Sequence, residues 1–113
     1  MFIVTVTEPL RFKHRLVSYP GYEKPHEHQW MVTVKIKREE IDETGISWDF
    51  IKVRKELKKV LSLLHRKDLN KIDFFKDNPT AERIALFISQ RISLPVCEVS
   101  VGDEKEKVTL IIK

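Results

Sequence analysis

The spacing of apolar residues changes twice along this chain, and that change limits the folds it can adopt. Apolar and polar side chains alternate over residues 2–7 and 29–37, and again over 97–101 and 108–112. A period of two residues is typical of β-strands with one buried face. The sequence therefore predicts two strands in its first third and two at its end, the last pair joined by a charged turn near 102–103.

The central part of the chain follows the period of an α-helix. From Asp49 onward, steps of three and four residues separate the apolar positions Phe50, Val53, Leu57, Val60, Leu61 and Leu64. Asp49 suits a helix N-cap because its carboxylate accepts hydrogen bonds from first-turn amides. A second helix is predicted to begin at Asn78-Pro79, with Asn as the cap and Pro in the first turn.

The order of the predicted elements is ββααββ, which indicates an α+β fold with one domain over residues 1–113. Hairpins make the four-stranded sheet antiparallel, and two amphipathic helices cover one of its faces. Both sheet edges and the second face remain open. Because open edges promote pairing with other chains, we expect a homo-oligomer that joins them.

Composition excludes several classes of protein. The net charge is +4, but basic and acidic residues alternate without a long basic block, so nucleic-acid binding is not indicated. Cys97 is the single cysteine, which rules out an intrachain disulfide and favours a reducing, cytoplasmic location. The first residues do not resemble a signal peptide, and no apolar run is long enough to suggest a membrane span.

Three histidines fall in the first predicted hairpin. His26 and His28 alternate along one strand and therefore point to the same side, while His14 lies on the adjoining strand. Three imidazoles with an open fourth position describe a catalytic zinc site. Histidines near a hairpin end are also common as plain polar surface, so the pattern by itself leaves both interpretations open.

Several short motifs together resemble the family of 6-pyruvoyl- and 6-carboxy-tetrahydropterin synthases. His26-Glu27-His28-Gln29-Trp30 resembles the family's H-G-H motif, which is followed by Asn or Gln and an aromatic residue. The remaining matches occur in the family's order along nearly the whole chain: His14-Arg15-Leu16, Gly45 to Phe50, Leu69-Asn70 and Pro79-Thr80-Ala81-Glu82.

The resemblance implies the tunnelling fold, in which trimers close their sheets into a barrel and commonly stack as hexamers. It also implies that His14, His26 and His28 bind Zn²⁺, which holds the hydroxyls of a pterin side chain. The implied substrate is 7,8-dihydroneopterin triphosphate. Arg11, Lys13 and Arg15 are candidates for its phosphates, with surface solvation as the alternative.

The expected catalytic groups depart from the commonest family pattern. The family's catalytic cysteine is replaced by Tyr22, whereas Glu23 fits a branch with an E-x-x-H-G-H motif that produces 6-hydroxymethyl-dihydropterin. We therefore predict Glu23 as the general base. Cys97 is interpreted as a small, buried apolar side chain. Glu27 replaces the motif's glycine, so it either crowds the site or adds a carboxylate to it.

Other positions of the family pattern are also altered. The family's Asp-His pair aligns with residues 65–66, which makes His65 a candidate for proton relay or simply a polar residue at a helix end. Asp103 occupies the pterin-anchoring position, with Glu104 beside it, since a carboxylate can pair with the pterin's guanidine-like edge. Thr80 is a candidate for a further pterin contact, although helix capping alone would explain it.

Two functions follow from this sequence. The first is a zinc-dependent synthase or lyase that acts on the side chain of dihydroneopterin triphosphate. The second is an oligomeric zinc- and pterin-binding module without synthase activity, which the missing cysteine and altered Asp-His pair would explain.

Overall fold

The computed structural model describes residues 1–113. An antiparallel hairpin is followed by two helices and a second hairpin. The elements in chain order are β1 (Phe2–His14), β2 (His26–Arg38), α1 (Phe50–Leu61), α2 (Ala81–Arg91), β3 (Val96–Gly102) and β4 (Lys107–Ile111). Two short 3-10 turns between the helices, Leu69–Lys71 and Asp73–Phe75, have no counterpart in the sequence prediction.

The four strands form one antiparallel sheet in the order β1-β2-β3-β4, which confirms the predicted fold class. β1 and β2 pair along their full length, from Phe2 opposite Arg38 to His14 opposite His26. β1 and β4 lie at the two edges. No helix combines the length and hydropathy that a membrane crossing requires.

The first strand extends seven residues beyond the predicted 2–7 segment. Pro9 lies within it, and an edge strand accepts proline because one side of its backbone has no ladder partner. The second helix begins three residues after Asn78. Thr80 is its N-cap, because the Thr80 side chain accepts a hydrogen bond from the amide of Arg83.

The core lies between the helices and one face of the sheet. Alternate residues of β1 and β2 point into it, as the spacing predicted, and Val32, Val34 and Ile36 have no exposed surface. Buried side chains of both helices, including Leu57 and Ile84, complete the core. Burial of this apolar surface is the main force that holds the helices on the sheet.

The opposite face of the sheet is polar at its centre. One row of hydroxyl groups crosses all four strands through the paired residues Thr7, Thr33, Ser100 and Thr109. The Thr7 and Thr33 hydroxyl oxygens lie 2.8 Å apart, and those of Ser100 and Thr109 lie 3.0 Å apart. These hydrogen bonds between neighbouring strands suit a face that contacts water.

Candidate metal centre and substrate pocket

The pairing of β1 with β2 brings three histidines together. His14 lies directly opposite His26, and His28 follows two residues later on the same face of the sheet. One ring nitrogen from each histidine lies within 4.8 Å of the others. The register of a single hairpin therefore produces the cluster, which is the arrangement expected for three ligands of one ion.

Backbone carbonyls fix the orientation of two of the rings. Nδ1 of His14 lies 2.9 Å from the carbonyl oxygen of Pro79, and Nδ1 of His26 lies 2.8 Å from that of Lys24. A carbonyl oxygen can only accept, so each Nδ1 donates and each Nε2 keeps its lone pair. Both Nε2 atoms are buried without a hydrogen-bond partner.

Aromatic side chains support the cluster. The His28 ring stacks on Trp30, with centroids 4.7 Å apart and planes at 25°. Phe12 presents its ring to His14 in an edge arrangement at 5.0 Å. Rings that are packed in this way lose little further freedom when they bind a ligand, so the cluster is preorganised.

Burial keeps the most enclosed histidine neutral. His14 is 2% exposed. Desolvation lowers its pKa from 6.5 to about 4, against a smaller opposing contribution from the Pro79 carbonyl. Desolvation also lowers the pKa of His28. Neutral imidazole is the form that binds metal, so these residues suit a metal ion at neutral pH.

The donor set fits zinc. Two buried Nε2 lone pairs without partners are costly unless a proton or a metal ion satisfies them. The Nδ1 hydrogen bonds to carbonyls are the contacts that metal-binding histidines commonly make with their second nitrogen. Three imidazoles leave room for a fourth ligand, which is typical of catalytic rather than structural zinc sites.

A cavity of about 290 Å³ opens beside the cluster. Its walls come from β1, β2, the segment between them, the β3–β4 hairpin and the start of α2. The lining is largely apolar, with two histidines and a few other polar groups. It includes His14, His28, Leu16, Tyr22, Trp30 and Asp103. An apolar cavity with a few directed polar groups is typical of a small-molecule site.

Asp103 reaches this cavity from the turn between β3 and β4. Its Oδ1 accepts hydrogen bonds of 2.9 Å from the amides of Lys105 and Glu106. The Glu106 and Lys105 bonds lower the pKa of this carboxyl group, so Asp103 is ionised at neutral pH. Gly102 permits the turn, because a Cβ there would collide with the backbone of Glu106 and Lys107.

Two other predicted carboxylates lie outside the cavity. Glu23 is exposed on the loop between β1 and β2, where its Oε2 accepts a 2.9 Å hydrogen bond from the amide of Gly21. Glu104 is exposed in the β3–β4 turn and does not line the cavity, whereas Glu106 does. The structure thus brings Asp103, but neither of these residues, to the histidines.

His65 and Thr80 also occupy separate positions. His65 lies beyond α1, where its Nδ1 accepts a 3.2 Å hydrogen bond from the amide of Arg11. It lines a different depression, together with Glu8 and Lys58. Thr80 caps α2 through a 3.2 Å bond from the Arg83 amide, while its neighbour Ala81 lines the cavity.

Glu27 does not crowd the cluster. Because strand residues alternate between faces, Glu27 points away from His26 and His28 and lines a basic depression on the other side of the hairpin. Cys97 is only partly buried, and its sulfur donates a hydrogen bond to the carbonyl of Lys35 at 3.3 Å. The partial exposure and this polar contact correct its interpretation as a small, buried apolar side chain.

A sequence model of the 6-pyruvoyl tetrahydropterin synthase family matches residues 3–111. The chain belongs to this family. The structure of the Caenorhabditis elegans 6-pyruvoyl tetrahydropterin synthase superimposes with a TM-score of 0.82, over 100% of this chain and 98% of the other, at 25% identity. Family membership confirms the resemblance that the scattered motifs indicated.

Two further comparisons give one sequence relative and one structural relative. A dihydroneopterin monophosphate aldolase from Pyrococcus furiosus is 39% identical over 76 residues, which cover 67% of this chain and 62% of the relative. A Plasmodium vivax synthase, in which alanine replaces a catalytic glutamate, has a TM-score of 0.68 at 17% identity. That match covers 97% of this chain and 98% of the other.

Sequence reasoning missed part of the cavity lining. Tyr22 was noted only as the replacement for the family's cysteine, yet its side chain lines the cavity. Trp30 was noted only as the aromatic residue that follows the H-x-H motif, yet it packs against the core and stacks on His28. Glu106 carried no sequence signal, because a charged residue in a turn is usually plain surface.

Proposed function

We propose that this protein is a zinc-dependent lyase that shortens the side chain of a phosphorylated dihydroneopterin. The observation that carries the proposal is the convergence of His14, His26 and His28, with two unpartnered Nε2 atoms, beside a cavity that also contains Asp103. Family membership supports a pterin substrate, and the Pyrococcus furiosus relative favours an aldolase reaction.

In this proposal, His14, His26 and His28 hold the zinc ion. The bound ion would polarise the hydroxyl groups of the substrate side chain and make them more acidic. Asp103 would anchor the pterin ring. Its Oδ1 is already held by two amides, so the carboxylate is fixed, and Oδ2 remains to accept from the amino and ring N–H groups of the pterin.

Glu23 is the proposed base. It follows Tyr22, which already lines the cavity, so a local change in the loop between β1 and β2 would bring the carboxylate inwards. The Plasmodium vivax synthase provides a precedent for a catalytic glutamate on this fold. His65 lies elsewhere in the chain, so any assistance from His65 would have to come from a neighbouring copy.

The proposed reaction is a retro-aldol cleavage. The base removes the proton from the hydroxyl group on the second side-chain carbon, and that carbon becomes an aldehyde. The bond between the first and second side-chain carbons breaks, and its electron pair enters the ring system. Protonation of the first carbon then gives 6-hydroxymethyl-dihydropterin and a phosphorylated glycolaldehyde, with no oxidant or reductant required.

The test is turnover of the zinc-loaded protein with dihydroneopterin monophosphate and, separately, the triphosphate, with products identified by mass spectrometry. We expect 6-hydroxymethyl-dihydropterin from at least one of them. Glu23→Gln should lower kcat by roughly 100-fold or more while zinc stays bound, because general-base catalysis commonly contributes that much. A pyruvoyl or carboxy product would contradict the aldolase assignment.

A binding module without catalysis is the second candidate, since Glu23 lies outside the cavity. It predicts tight pterin binding that depends on Asp103, without turnover of either phosphate ester. The lyase proposal would then be wrong, even with zinc present at one ion per chain.

We also propose that the protein works as a homo-oligomer, a trimer or a hexamer, in the cytoplasm. β4 and the first part of β1 have no backbone partner on their outer sides, since residues 66–68 cover only the end of β1 near Arg11 and Lys13. These open edges and the polar face between them support an assembly in which β1 of one copy extends the sheet at β4 of the next.

A further inference from the structure

A second cavity, of about 550 Å³, lies on the side of the first hairpin that faces away from the histidines. We call it the basic pocket. Four basic and two acidic residues provide its charged lining: Arg11, Lys13, Arg66, Lys67, Glu27 and Asp68. Phe12 is its only hydrophobic lining residue. Such a lining favours a polar, anionic ligand over an apolar one.

The backbone holds the walls of the basic pocket together. The amide of Arg66 donates to the carbonyl of Arg11, and the amide of Lys13 donates to that of Lys67, at 2.6 and 2.9 Å. An isolated bridge also pairs Lys13 with Asp68. The segment after α1 therefore extends the sheet edge locally, and Arg66 makes the turn with a φ of 61°.

None of the basic side chains of the pocket forms a direct ion pair within the chain. The ion pairs of this chain are Lys35–Glu98, Arg54–Glu8 and Lys58–Glu8, and none involves the pocket. Four cations and two carboxylates thus share one concavity without a direct pair. The excess of positive charge within a concave surface attracts anions and concentrates them.

We propose that the basic pocket binds a phosphoryl group. A phosphoryl group carries several acceptor oxygens at short spacing, which suits convergent Arg and Lys donors. Because Lys13 and Glu27 point away from His14, His26 and His28, the pocket lies across the sheet from the histidine cavity of the same chain. The phosphoryl group belongs either to substrate bound at a neighbouring copy or to a separate phosphorylated molecule.

Binding of inorganic phosphate to the zinc-loaded protein, followed by calorimetry and by amide shifts in NMR spectra, tests the proposal directly. We expect saturable binding with shifts at Lys13, Arg66 and Lys67. The double variant Lys13→Gln/Lys67→Gln should bind at least about tenfold more weakly, because hydrogen bonds to charged groups are lost. The matched control, Lys55→Gln/Lys59→Gln, removes the same charge from exposed positions of α1.

Two single variants test whether phosphate binds in the basic pocket or at the histidine cluster. Glu27→Gln removes a negative charge from the pocket and should tighten phosphate binding, opposite in direction to the lysine variant. His26→Ala should leave phosphate binding within about twofold, since it alters the histidine cluster and not the pocket. Equal losses in the two double-lysine variants, or loss of binding in His26→Ala alone, would overturn the proposal, as would the absence of saturable binding.

Kinetics then identify the source of the phosphoryl group. If the pocket serves the substrate, Lys13→Gln/Lys67→Gln raises KM for phosphorylated dihydroneopterin but not for dihydroneopterin. If a separate molecule occupies the pocket, KM is unchanged although phosphate binding is lost. Both results support a phosphoryl site. Phosphate binding is measured without turnover, so this inference can succeed even if the proposed lyase activity fails.

Discussion

At the scale of single residues, the four histidines differ sharply in their surroundings. Three share one hairpin face, and the Nε2 atoms of His14 and His26 are buried there without partners. His65 is exposed and accepts a backbone hydrogen bond at its Nδ1. The chain therefore contains its own control for histidine-dependent metal binding.

We expect one zinc ion per chain in the unchanged protein and in His65→Ala. His26→Ala removes one of the three imidazoles and should weaken zinc binding by more than about 100-fold. Loss of a hydrogen-bond partner of a metal ligand already lowers metal affinity about 10- to 100-fold, and loss of the ligand itself should cost more. Chelator competition with elemental analysis measures both. Equal weakening in His65→Ala would show that the cluster is not the zinc site.

Two adjacent leucines offer a similar contrast for stability. Leu64 has no exposed surface and belongs to the core, while Leu63 is 47% exposed. We expect Leu64→Ala to lower the free energy of unfolding by about 2–5 kcal/mol, because it removes buried contacts and leaves a cavity. Leu63→Ala should change it by less than about 0.5 kcal/mol. Urea denaturation of both variants checks the difference, and similar losses would contradict the assigned packing.

At the scale of elements, the spacing of apolar residues predicted all four strands and both helices, because each of them buries one face and exposes the other. Their ends were less predictable. The second half of β1 was not predicted, because Pro9 argues against a strand at that point. Proline is tolerated in an edge strand, and only the folded structure shows that β1 is one. Asn78 and Thr80 are both good caps, and only the folded backbone decides between them.

The function of Thr80 can be tested at the start of α2. Thr80→Ala should lower the free energy of unfolding by about 1 kcal/mol through loss of the cap, and Thr80→Ser should restore it. Thermal unfolding measures this effect. If Thr80 also contacts the pterin, the alanine variant raises KM at temperatures where it is fully folded; unchanged KM assigns the residue to capping alone.

The part of the site that depends on local pattern could be predicted from the sequence, and the part that depends on tertiary packing could not. The histidine cluster follows from alternation and strand pairing, which are legible in the sequence. The carbonyls of Pro79 and Lys24 that orient His14 and His26 are not, because they belong to segments whose positions depend on tertiary packing. Glu27 shows the converse: its sequence neighbours are histidines, but strand geometry places it on the opposite face.

At the scale of the whole molecule, the two sheet edges have unsatisfied backbone groups. Directly beyond the two ends of β4, the amide of Ile112 donates to the carbonyl of Cys97 in β3, and the carbonyl of Glu106 accepts from the amide of Asp103. Antiparallel strands alternate the direction of their backbone groups, so the amides of odd-numbered residues such as Ile111 point outward. These are the groups that a neighbouring copy's β1 would pair with.

Ile111→Pro removes one outward amide and adds a ring at the edge, while the hydrogen bonds between β3 and β4 remain. If copies join through β4, this variant should be monomeric, whereas Ile111→Val, which keeps the amide, should stay oligomeric. Light scattering after size-exclusion chromatography measures the mass, and circular dichroism verifies that both variants are folded. A folded Ile111→Pro variant with the mass of the unchanged oligomer would rule out assembly through this edge, and the copies would then have to associate through another surface.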